Sequence, residues 1–242
     1  MQKEERALLK SFFVPFILLA LMYLVAFTEW LFGISFSRYG IHPLHADGLP
    51  GILLSPFIHS DWKHLAANSL PVLVLGGALF YFYQVIAVRI LLLITLLTGI
   101  WVWLGARGGV HIGASGVIYG LSSFLLVSGI IRRETRLMAL SLIVVFLYGS
   151  FVWGIFPQFF PQQNISWESH LSGMLAGIIL AVFYRSEGPQ RKLYSWEIQE
   201  EDEDQTDAGS MQQSADEKPY WDIPEPDRND LKVVYHPPKK ES

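Results

Sequence analysis

The chain has 242 residues, 51% of them hydrophobic and 14% aromatic, with a mean hydropathy of +0.32, which excludes an ordinary soluble domain and describes a membrane protein. It contains no cysteine, so disulfides, thiolate zinc sites and cysteine nucleophiles are excluded. The formal net charge is −4, but much of the acid lies in one tail, so the whole-chain value says little about partners.

A helix needs about 20 apolar residues to cross a hydrocarbon layer of about 30 Å. Charges and turns cut the sequence into six candidate spans, at 11–33, 65–84, 86–106, 115–131, 137–156 and 169–184. The first is long and lacks an Ala-x-Ala-like cleavage site, so it reads as a span and not as a leader. Between the first two lies a segment, 34–63, with His42, His45, His59, Pro43, Pro50, Pro56 and Gly51. It is too rich in breakers for a span and too apolar for a linker, and reads as a structured interfacial loop. The prediction for 1–185 is an all-α membrane core of six helices.

From Ser186 the composition turns to Glu, Asp, Gln, Ser and Pro, including the run Glu200-Glu201-Asp202-Glu203-Asp204. So few apolar residues cannot offset the entropy of ordering, and 186–242 is expected to be a disordered acidic tail. Trp221 and Val233-Val234-Tyr235 are its one candidate docking motif.

Lys and Arg near span ends stay on the cytoplasmic side. With the amino terminus inside, the inner segments hold Lys3, Arg6, Lys10, Arg89, Arg132, Arg133, Arg136, Arg185, Arg191 and Lys192; the outer ones hold Arg38, Lys63 and Arg107. Both termini are therefore expected in the cytoplasm of a multi-pass cell-membrane protein.

Polar groups inside spans are costly and point to function. Ser115 heads the fourth span within Gly113-Ala114-Ser115-Gly116, His170 heads the sixth, and His64 with Asn68 opens the second. At 1.5 Å per residue, Ser115 lies about 25 Å from the cytoplasmic end of its span, Asn68 about 24 Å and His170 about 22 Å. All three fall at one level, near the outer face. Gly116 and Gly120 form a Gly-x-x-x-Gly face after the serine, and Gly173 and Gly177 form another after the histidine. Such faces let helices in lipid approach closely. Paired, they bring a hydroxyl and an imidazole together, the core of nucleophilic acyl transfer. Gly113 and Gly116 leave room for a carbonyl and a neighbouring helix. Tyr119, one turn below Ser115, is placed to pack on the His170 ring. Glu168, two residues before His170, is expected to point away, so a dyad is the economical reading. His64 and Asn68, four apart on one face, join the Ser115 amide as three donors around an oxyanion.

Ser115 in Gly-x-Ser-Gly with Tyr119 following, His64-x-x-x-Asn68, and His170 with Gly173 and Gly177 together resemble the rhomboid family of intramembrane serine proteases, over about residues 11 to 185. The resemblance implies a Ser115/His170 dyad, an oxyanion site of His64, Asn68 and the Ser115 backbone, and cleavage of the transmembrane segments of other proteins. His59 matches a further histidine usual in the family, where holding the loop is the simpler role. Many rhomboids carry Trp-Arg in the first loop; here Leu49-Pro50-Gly51-Ile52 has neither.

His42, His45 and His111 read as interfacial residues, and Arg107 as a headgroup anchor. Trp101, Trp103, Trp153 and Trp167 read as an aromatic belt. Two other readings compete: a catalytically idle relative that holds membrane clients, and a metal-dependent transporter or protease. The second lacks His-Glu-x-x-His and any carboxylate beside His64 or His170 within a span. The chain is thus expected to use no cofactor or metal and to bind no nucleic acid. Its partners are expected to be the bilayer and membrane-protein substrates; nothing in the sequence marks an oligomeric state.

Overall fold

The computed structural model describes residues 2–133, 135–147 and 166–188. Among them the fold is helical, and the one β contact is an isolated antiparallel bridge between Ile41 and His111. The helices are α1 (Gln2–Ser11), α2 (Phe13–Phe32), α3 (Gly51–Leu54), α4 (Trp62–Phe82), α5 (Ala87–Gly105), α6 (Ser115–Arg132), α7 (Thr135–Leu147) and α8 (Trp167–Phe183).

Four stretches are long and apolar enough to cross a membrane: Glu4–Phe32, Trp62–Phe82, Ala87–Gly105 and Ser115–Arg132. Helix α8 is shorter, at 17 residues, and reaches about 25 Å, the short end of the spanning range. The span expected at 137–156 is described only as far as Leu147, and the tail expected from 186 only through Gly188.

The first helix begins at Gln2, ahead of the span expected from residue 11. Glu4, Glu5, Arg6, Ala7, Leu8, Leu9 and Lys10 are mostly strong helix formers and continue the helix outward. The junction at Phe12 has a local cause. Pro15 has no N–H with which to bond the Ser11 carbonyl, so the ladder is interrupted where α1 meets α2. Gly33, with φ at +64°, then closes α2 in the left-handed conformation.

The loop 34–63 is ordered, as short helical turns at Ser37–Tyr39, Ala46–Gly48 and Ser55–Phe57 around α3. It is pinned by backbone contacts. Ile41 and His111 exchange N–H···O bonds of 2.9 and 3.0 Å, and Leu44 N donates to the Trp103 carbonyl at 2.9 Å. Trp103 Nε1 donates to the His45 carbonyl at 2.9 Å, so this residue of the expected aromatic belt also staples α5 to the loop.

The core lies where α4, α5, α6 and α8 meet. Leu65, Leu75 and Leu79 from α4, Ile90 and Ile94 from α5, Phe124 and Leu125 from α6 and Ala176 from α8 are all fully buried. Outward-facing residues such as Val88, Leu92, Ile179 and Phe183 are large, apolar and exposed, the pattern of helices solvated by lipid.

Helices α6 and α8 make the closest contact. A Cβ at Gly173 would collide with the Gly116 carbonyl, and one at Gly177 with the Gly120 carbonyl and the Ser123 hydroxyl. The two Gly-x-x-x-Gly faces therefore meet backbone to backbone, in one direction and in register. Below them Ser123 Oγ donates to the Met174 carbonyl at 2.9 Å. At the far end the buried guanidinium of Arg132 donates to the carbonyls of Tyr184 and Glu187, both at 2.6 Å. A cation at the carboxyl end of α8 faces the negative end of its dipole.

Candidate active site

The glycine-rich turn that delivers Ser115 needs glycine at two positions. Gly109 and Gly113 adopt φ of +130° and +102°, which side-chain-bearing residues rarely take. The Gly113 amide donates to the Ser55 carbonyl at 2.9 Å, tying the turn to the first loop. Ser115 follows as the first residue of α6, half-buried, its amide among those that the helix itself cannot satisfy. On the other side Ser166 caps α8, its hydroxyl accepting the Ser169 amide at 3.4 Å. One turn further in lies His170, buried.

Ser115 Oγ and His170 Nε2 are 2.9 Å apart. With the His170 proton on Nδ1, the serine hydroxyl donates to a bare Nε2, the arrangement in which an imidazole accepts a proton from a nucleophile. The Tyr119 ring lies flat on the imidazole, with centroids 4.2 Å apart and planes 9° from parallel. A ring stacked so closely fixes the imidazole plane.

The remaining polar residues converge from α4. Asp61 caps this helix, its Oδ1 accepting the His64 amide at 2.8 Å. That bond and the Ser60 hydroxyl hold the Asp61 carboxyl below its ordinary pKa. His64 thereby stands at the head of α4 with Nδ1 3.2 Å from Ser60 Oγ. Its other ring edge faces Gly113: a Cβ there would stand 2.7 Å from Cε1 and 2.8 Å from Nε2, with Asn68 Nδ2 at 3.8 Å. Only glycine admits the imidazole so close to the Ser115 turn. Asn68 is buried, and its Nδ2 has no hydrogen-bond partner among the described residues. An unpaired buried donor costs about 1–3 kcal/mol, and one beside a serine hydroxyl suits an acceptor that arrives only with substrate.

His59 packs edge-on against His64, with ring centroids 4.9 Å apart. Burial first, and then the neighbouring His64, push its pKa down to about 4, so the ring is neutral at pH 7. The Phe57 carbonyl lies close to the ring but outside hydrogen-bond geometry. His59 stands behind His64 as packing.

Three residues near the site have partners that the sequence does not show. Glu168, expected to point away from His170, is buried and pairs with Arg107, whose Nε lies 2.6 Å from Oε1. Arg107 is accordingly an ion-pair partner as well as a loop residue. His111, read as interfacial, is buried within the protein, its Nδ1 2.6 Å from Ser166 Oγ and its Nε2 3.1 Å from the Arg107 carbonyl. The partners of these three are what pattern reasoning missed. The one signal for them was a carboxylate at the head of an apolar helix with an arginine in the loop that leads to Ser115.

Fold and site together define a helical integral membrane protein with a hydroxyl–imidazole pair at the heads of two packed helices. The chain belongs to the rhomboid family: residues 47–187 match the family description of the Rhomboid domain. Members are intramembrane serine proteases acting on membrane proteins within the bilayer. Uncharacterized proteins of Mycobacterium tuberculosis and Mycobacterium bovis are each 38% identical to it over 179 residues, 72% of this chain and 74% of theirs. One from Mycobacterium leprae is 34% identical over 181 residues, 72% of this chain and 70% of its own.

Proposed function

We infer that the chain is an intramembrane serine endopeptidase that cleaves transmembrane segments of other membrane proteins, with Ser115 as nucleophile and His170 as general base. The observation that carries this reading is the 2.9 Å contact between His170 Nε2 and Ser115 Oγ. Attack forms the bond from Ser115 Oγ to the scissile carbonyl carbon while His170 takes the hydroxyl proton. The carbonyl π pair moves to oxygen, and the donors are the His64 imidazole, Asn68 Nδ2–H and the Ser115 amide. Collapse breaks the C–N bond, and His170 returns the proton to the departing amine. Water, deprotonated by the same imidazole, then hydrolyses the acyl ester on Ser115. Tyr119 holds the imidazole plane, and Gly113, Gly116, Gly173 and Gly177 supply the space and the helix contact.

An intact helix hides its carbonyls in its own hydrogen bonds, so substrates carry small, helix-weakening residues near the cut. The distribution of Lys and Arg supports cytoplasmic termini, an outward-facing site, and an acidic tail, 186–242, beyond the catalytic core. The test is treatment with a fluorophosphonate reagent and mapping of the adduct by mass spectrometry. A single adduct on Ser115, lost in His170→Ala, is expected; equal labelling of wild type and Ser115→Ala refutes the assignment.

A further inference from the structure

The Ser115–His170 contact joins two helices whose shared face is glycine, and a glycine face sets distance better than register. It has few side chains to stop one helix sliding on the other. Register must therefore come from polar pins. Two lie near the far end, Ser123 to the Met174 carbonyl and Arg132 to the carbonyls of Tyr184 and Glu187. Above the site there are two more, and neither is used in the chemistry described so far.

The first part of the loop leading to Ser115, up to Gly109, has almost no packing of its own. A Cβ at Gly105, Gly108 or Gly109 would meet nothing within 4 Å. Its two long polar side chains both engage the first turn of α8. Arg107 pairs with Glu168 at 2.6 Å, the carboxylate buried. His111 Nε2 faces the Arg107 carbonyl, an acceptor only, and so carries the proton. In the neutral ring Nδ1 is then an acceptor, and the Ser166 hydroxyl donates to it at 2.6 Å while accepting the Ser169 amide. His111 to Ser166 spans 55 residues, and so does Ser115 to His170, four residues further along each strand of chain. The same register runs through the pin and the reacting pair.

We propose that Arg107–Glu168 and His111–Ser166 form a clamp whose function is to position Ser115 against His170, making Arg107, Glu168 and His111 positioning residues of the reaction. This rests on the reading of Ser115 and His170 as nucleophile and base. A buried carboxylate left without its arginine has no other cation among the described ion pairs, so the first turn of α8 shifts to reach solvent and carries His170 with it. The clamp touches no substrate atom, and it acts on the chemical step rather than on binding.

The experiment measures the rate of Ser115 modification by a fluorophosphonate, per folded molecule, in the full-length protein in liposomes, with thermal stability followed in parallel. Arg107→Gln and Glu168→Gln are each expected to slow modification about tenfold. The double variant is expected to be no slower than the slower single variant, within twofold, because both remove one pin. Glu168→Asp and Arg107→Lys restore part of the rate, and cleavage of a helical substrate loses kcat with KM unchanged. Arg107 is largely exposed, so Arg107→Gln remains informative if Glu168→Gln does not fold. Single-variant rates within twofold of wild type, or a double variant slowed by the product of the singles, overturn the clamp. A wild-type chain that is not labelled at Ser115 at all overturns the protease reading, and the clamp's role with it.

Discussion

Gly173→Ala tests the link between helix packing and chemistry most sharply. The methyl group would be driven into the Gly116 carbonyl, and on both sides the colliding atoms are backbone, so no rotamer relieves the clash. Carbon and oxygen regain ordinary contact only near 3.4 Å, which requires α6 and α8 to part by about 1 Å or more. His170 lies one turn before Gly173 on the same helix face, so the 2.9 Å contact with Ser115 opens to about 3.9 Å, beyond hydrogen-bonding distance. Overpacking of this kind costs about 1–3 kcal/mol of stability. Loss of the base contact costs about 10²- to 10⁴-fold in rate. The assay is fluorophosphonate labelling of Ser115 in liposomes beside a thermal melt. The matched control is Gly105→Ala, whose methyl meets nothing within 4 Å. A Gly173→Ala protein labelled at the wild-type rate refutes the claim that this glycine contact brings serine and imidazole together.

Other consequences are separately measurable. Asn68→Ala removes a proposed oxyanion donor and is expected to lower kcat about 10²- to 10³-fold at nearly constant KM, read from cleavage of a model transmembrane substrate. Tyr119→Phe keeps the ring stacked on His170 and should lose much less activity than Tyr119→Leu, since the 4.2 Å stack uses the ring face; equal losses would show that the stack does not orient the base. His59 gives the fold a pH dependence. Its folded pKa of about 4 lies below the ordinary 6.5, so the unfolded chain binds the extra proton. Stability is therefore full above about pH 6.5 and falls by about 3 kcal/mol as pH drops towards 4. Melting temperatures measured across this window should fall for wild type and flatten for His59→Gln.

The α6–α8 contact can be read from sequence because Gly116, Gly120, Gly173 and Gly177 repeat every four residues, and a glycine face in an apolar helix has few purposes besides close approach. Ser115, His170, His64 and Asn68 stand out for a related reason, as polar groups in segments that lipid would otherwise keep apolar. The clamp residues carry no such mark. The direction of Glu168 is set by an arginine 61 residues earlier, and helical periodicity around His170 is silent about that partner. His111 sits in a loop, where an imidazole normally implies solvent, and its burial depends on Ile41 and Ser166, both distant in sequence. The start of the first helix is not marked by hydropathy, which shows where a helix enters lipid, whereas α1 begins among charged helix formers ahead of that point.

The central claim is that this chain cuts membrane proteins with Ser115 and His170. The most direct measurement is quantitative proteomics of ectodomains released from cells carrying the wild-type chain, Ser115→Ala or His170→Ala at matched expression. The account predicts fragments ending within or beside a transmembrane segment that are released by the wild type alone. The same fragments in equal amounts from either variant would contradict it.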